Sequence, residues 1–71
     1  FHSPKNLTMA LAAEAGELLD IFQWLKEEHT KPENLDDKTI DLAKEEIADI
    51  FYYLIRLSDK LEIDLESVLQ N

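Results

Sequence analysis

The chain contains no cysteine, so no disulfide staples it; this leaves the compartment open, though a reducing one fits, and a cytoplasmic location is the expectation taken forward. Glycine occurs once and proline twice, and no stretch alternates in strand fashion; a sheet-based fold is excluded and an all-α fold is left. No apolar run approaches ~18 residues, which excludes a transmembrane helix. Residues 1–5 lack the apolar core of a signal peptide. Basic residues are scarce as well: 7 Lys and Arg face 16 Asp and Glu, for a net charge of −9. Such a surface repels nucleic acid and anionic membrane. It does not repel an anionic small molecule if a divalent cation inverts the local sign. Finally, 71 residues make a single thin domain, and chains this short usually reach useful stability through disulfides, a metal or self-association. Only the last two are open to this one.

What is present is organised as helices. Ser3 followed by Pro4 is a helix start, a capping residue before proline at the first helical position. From Leu7 to about Glu28 there is no breaker except Gly16, which is read as admitting close approach of another backbone or a ligand. The segment His29 to Leu35, punctuated by Pro32, is a loop, and Asp36 or Asp37 caps a second helix running from about Lys38 to Lys60. Asp64 caps a short third helix, about Leu65 to Gln70. In the second helix Ile47, Phe51 and Ile55 lie well away from the stripe that carries Glu46. Asp41, Lys44, Glu45, Tyr52, Arg56 and Asp59 are left to face water. A helix apolar on two sides must bury the second one against another subunit. The expectation is therefore two long antiparallel helices plus a short C-terminal helix, completed into a four-helix-type bundle by self-association.

The acids are the anomaly. At ~100° per residue, Leu42, Glu46, Ile50, Tyr53 and Leu57 share one narrow stripe, with Asp49 at its edge. On the first helix Glu14 and Glu17 share a face with Leu7, Ala10, Leu18, Ile21 and Leu25. Packing the two stripes together brings four carboxylates to one place, where they cannot stay ionised without cations. Oxygen-only ligands of this hardness suit Mg²⁺ or Mn²⁺. A pairing of Glu14 or Asp49 with a lysine or arginine is the plainer account of one such acidic pair; two pairs without matching bases favour metal. Neither His2 nor His29 completes the Glu-x-x-His that a di-iron bundle needs. Glu27, Glu28, Asp41, Glu45 and Asp59 read as solvated. Tyr53 and Trp24 are either core or platforms for a nucleobase. Asn6 either bonds a base edge or merely occupies the first turn, and His2 is either a ligand contact or a frayed end.

The runs Phe1-His2-Ser3-Pro4-Lys5-Asn6-Leu7, Ala13-Glu14-Ala15-Gly16-Glu17-Leu18-Leu19, Phe22-Gln23-Trp24 and Glu45-Glu46-Ile47-Ala48-Asp49 through Tyr53-Leu54 resemble the MazG-type nucleoside triphosphate pyrophosphohydrolases, in particular their small dCTP-pyrophosphatase-like and integron-associated branch. The combination of Glu-x-x-Glu, about 28 residues, then Glu-x-x-Asp, with Phe-Gln-Trp between them, is more specific than either half.

The resemblance implies an all-α fold assembled as a dimer or a dimer of dimers. It also implies Mg²⁺-dependent hydrolysis of (deoxy)nucleoside triphosphates to the monophosphate and pyrophosphate, in a house-cleaning role. Under it Glu14, Glu17, Glu46 and Asp49 are the expected magnesium ligands and catalytic acids, with Glu17 the guess for the base that orients the water. Tyr53 is expected near the phosphates or sugar, and Trp24 with Phe1 and His2 along the base pocket. Relatives of this type add a helix before the Phe-His segment and a basic stretch after the third helix. The 71 residues, which open on phenylalanine, are thus expected to form one domain lacking its flanks. The rival expectation is a non-catalytic helical dimerisation module whose acids are salt-bridged or hydrated.

Overall fold

The computed structural model describes residues 2–70. Its elements run α1 (Pro4–Phe22), two short 3-10 turns (Glu27–Thr30 and Pro32–Asn34), α2 (Asp37–Lys60) and α3 (Leu65–Gln70). Each helix start is fixed locally by a side chain that takes up otherwise orphaned backbone donors. Ser3 Oγ accepts from the Asn6 N–H at 3.2 Å, with Pro4 in the first turn. Asp36 accepts from Thr39 N–H at 2.8 Å, and the Thr39 side chain together with that N–H holds its carboxyl below the usual range. Asp64 accepts from the N–H groups of Glu66 and Ser67 at 3.1 and 3.4 Å. At the far end of α2 the Ile63 N–H reaches back to the Ser58 carbonyl at 2.8 Å, which requires Glu62 to adopt φ 57°. That left-handed conformation normally goes to glycine.

The first helix ends earlier than its sequence suggests, at Phe22 rather than near Glu28. Glu14 meets Asp49, and Glu17 meets Glu46, so rising positions on α1 meet falling positions on α2 and the pair is antiparallel. Gln23 N–H still reaches the Leu19 carbonyl at 2.8 Å, and Leu25 N–H then closes a tighter turn on the Phe22 carbonyl at 3.0 Å, so the chain leaves the helix there to come back toward α2. Lys26 turns to extended backbone, and the expected loop holds the two 3-10 turns instead.

The hairpin is open. Its Cα radius of gyration is 14.7 Å, against about 11 Å for a compact domain of this length. Its accessible surface is 5819 Å², where a folded monomer of this size leaves about 4,500 Å². Only Leu7 (2 % exposed) and Ala43 (8 %) are fully shielded among the described residues. The outward face of α2 carries Ile47 (57 %) and Phe51 (60 %), with Leu54 and Ile55 beside them. The second apolar side expected from the sequence is thus real and uncovered. Arg56 departs from expectation: it is half-buried rather than turned to water, and its Nε is shut away from solvent. Among the described residues no helix is long and apolar enough to cross a membrane.

Candidate functional site

The antiparallel register brings the two acidic pairs together midway along the hairpin. Glu14, Glu17 and Glu46 each present a carboxylate oxygen within 4.8 Å of the others. Glu14 and Glu46 are half-buried, and Glu17 is more open. Asp49 lies exposed at the rim, outside that trio but near enough to act on Glu14. One protein-bound proton is the cheapest way for such a group to exist without cations. It settles on Glu14, whose pKa is pushed up to about 8, first by a hydrogen bond with Glu46, then by burial, then by Asp49 and the charge of Glu17. Glu17 is raised too, chiefly by its hydrogen bond with Glu46 and by the Glu46 charge. With every carboxyl ionised there is no donor left in the cluster, and the buried Glu14 Oε2 has no partner.

These residues fit a hard divalent cation. All donors are oxygens, one is orphaned, and no base answers them: the one ion pair among the described residues joins Lys44 to Asp41 at 4.0 Å, on the surface. Glu27, Glu28, Asp41, Glu45 and Asp59 are exposed, as their positions suggest. Asp20 accepts a hydrogen bond from the Gln23 side chain and so serves the end of α1.

The remaining candidates divide between the two ends of the hairpin. Tyr53 is half-buried one turn beyond Asp49, its ring edge-on to Tyr52 with centroids 5.5 Å apart. His2 and Asn6 are exposed at the start of α1, and Trp24, 85 % exposed, follows its end. Phe1 lies outside the described residues. The 19 residues of α1 span about 28 Å, so His2 and Trp24 of one chain cannot share one base pocket.

Comparison with known proteins bears on this arrangement. Residues 9–71 match the MazG-like family. The chain belongs to the MazG-like family. Within it, this MazG-like chain is 38 % identical over 65 residues to dCTP pyrophosphatase 1 of Bos taurus and 35 % identical over 65 residues to that of Homo sapiens. In each case the match takes in 92 % of the chain and 38 % of the relative, so the MazG-like chain spans well under half the length of these proteins. Its fold matches the crystal structure of a pyrophosphatase from Archaeoglobus fulgidus with a TM-score of 0.83 and 38 % identity, over 97 % of this chain and 63 % of that one.

Proposed function

We propose that the protein hydrolyses (deoxy)nucleoside triphosphates to the monophosphate and pyrophosphate with Mg²⁺, favours dCTP, and acts in the cytoplasm as a guardian of the nucleotide pool. The observation that carries this reading is the meeting of Glu14, Glu17 and Glu46 across α1 and α2 with no base to neutralise them. The names of the relatives, dCTP pyrophosphatase 1 and an archaeal pyrophosphatase, support the substrate class.

In this proposal Glu14, Glu17, Glu46 and Asp49 hold the metal. Mg²⁺ supplies Lewis acidity at the α-phosphate, charge neutralisation and a more acidic water; Mn²⁺ suits the same oxygens. The buried, orphaned oxygen of Glu14 anchors from inside the seam, and Glu46 bridges to both acids of α1. Glu17, the more open member of the trio, orients the attacking water and takes its proton. Tyr53 stands where the sugar or phosphates pass, and His2, Asn6 and Trp24 are reserved for the base.

Because His2 and Trp24 sit at opposite ends of α1, and no cavity is enclosed among the described residues, a complete base pocket needs a second copy or flanking chain. Self-association as a homodimer or homotetramer is part of the proposal. It is supported by roughly 1,300 Å² of surface beyond the expectation for a monomer, comparable to what one partner buries in a stable dimer. The rival reading is a dimerisation module whose acids are salt-bridged or hydrated; its salt-bridged form requires bases that the described residues do not bring to the acids.

The test is a panel of nucleoside triphosphates assayed for pyrophosphate release by native-length protein, with and without Mg²⁺, beside Glu46→Gln. Metal-dependent release with dCTP preferred, and a loss of about 10²-fold or more in Glu46→Gln, is the expected result. Equal Mg²⁺ binding by wild type and Glu46→Gln with no pyrophosphate released would return the protein to the dimerisation reading.

A further inference from the structure

Arg56 is the single arginine of the chain, and the proposed chemistry leaves it unused. It lies half-buried one turn past Tyr53 and two turns past Asp49 on α2. Its Nε is buried without an acceptor. Its guanidinium enters no ion pair or hydrogen bond among the described residues, although acids outnumber bases more than twofold. A guanidinium nitrogen taken out of water with no acceptor is costly unless an anion completes it. Helical side chains lean toward the N-terminus of their helix, which carries Arg56 back over Tyr53 and toward the acidic cluster. Seven residues separate it from Asp49, a rise of about 10.5 Å. A side chain leaning back over part of that rise leaves a span on the scale of phosphate groups rather than of a whole nucleotide.

The geometry points to Arg56 as the residue that grips the β- and γ-phosphates of a nucleoside triphosphate whose α-phosphate lies at Glu14, Glu17 and Glu46. This rests on the function proposed above. The planar fork of arginine suits two phosphate oxygens at once. When the water oxygen bonds to the α-phosphorus, the bond from that phosphorus to the bridging oxygen breaks and its electron pair leaves with pyrophosphate. The proton of the water goes to Glu17. Arg56 keeps its own protons and donates hydrogen bonds to the charge that accumulates on the leaving group.

Native-length wild type, R56Q and R56K are compared by calorimetry with Mg²⁺-pyrophosphate and, separately, with Mg²⁺-dCMP, and their mass is read by light scattering. R56Q is expected to weaken pyrophosphate binding about 10- to 100-fold and to leave dCMP binding and mass unchanged. R56K, a point charge without the fork, recovers part of the loss. If R56Q fails to fold by circular dichroism, R56K alone decides: weaker pyrophosphate binding with intact dCMP binding supports the assignment. Unchanged pyrophosphate binding overturns it. A loss confined to dCMP would place Arg56 at the base or sugar, and a fall in mass would place it against a second copy; either overturns it. Arginine-dependent pyrophosphate binding by a wild type that cleaves no triphosphate would instead sink the proposed function and keep the anion contact.

Discussion

Removing the divalent ion should make the stability of the fold fall as pH rises. In the metal-free protein Glu14 holds its proton up to about 8, against 4.5 for the free side chain, because Glu46, burial and the other acids oppose its ionisation. Glu17 is raised in the same direction. Between those limits the folded state binds more protons than the unfolded one, so stability falls as pH rises. The contribution is complete below about pH 4.5 and gone above about pH 8. One such group changes the folding constant by at most about tenfold per pH unit, and solvent around the half-open site reduces this to a fraction. A saturating cation takes over the proton's role, so the decline should vanish with Mg²⁺ present. Binding at neutral pH should then release protons. Urea midpoints at half-unit steps from pH 4.5 to 8.5, in chelator and in excess Mg²⁺, measure the first effect at fixed protein concentration. Calorimetry in two buffers of different ionisation enthalpy measures the second. Glu14→Gln should flatten the chelator curve and blunt the response to Mg²⁺. Metal-free stability that climbs with pH across this window, or Mg²⁺ binding without proton release, would refute the account of the cluster.

Three further outcomes are expected. Phe51→Glu places a charge at the centre of the uncovered face of α2 and should shift native mass toward the monomer by light scattering; unchanged mass would mean that this face is not the interface. An added Cβ at Gly16 meets open space within the chain, so Gly16→Ala should raise helix stability by about 0.5–1 kcal/mol in chemical denaturation, unless a second copy or substrate needs that space. In that case assembly or nucleotide affinity falls while α-helicity by circular dichroism does not. Glu62→Gly relieves a non-glycine residue at φ 57° and should stabilise the end of α2 by about 0.5–1 kcal/mol, read as a higher urea midpoint.

How far the sequence could be read depended on the range of the interaction. The caps at Ser3, Asp36 and Asp64 need only a few neighbouring residues, and each stands where its chemistry suggests. The meeting of Glu14, Glu17 and Glu46 was legible because two apolar stripes in a chain of two long helices have few ways to pack. Asp49 was harder to place: its position at the edge of the stripe becomes, in the fold, the rim of the cluster. The end of α1 was hidden because residues 23–28 hold no proline or glycine to mark the place where the chain turns out of the helix. Arg56 was misjudged for a different reason. A helical projection assigns it to water by angle alone, and takes no account of the reach of a long side chain, whose Nε is shut away from solvent here.

A hairpin that keeps only Leu7 and Ala43 fully out of water has little private interior to lose. Whatever covers the other apolar side chains must therefore hold the subunit in shape as well as hold subunits together. Midpoints of melting should then climb with protein dilution reversed, several degrees for each tenfold rise in titre. Samples mixed from two tagged versions should exchange partners no faster than they unfold.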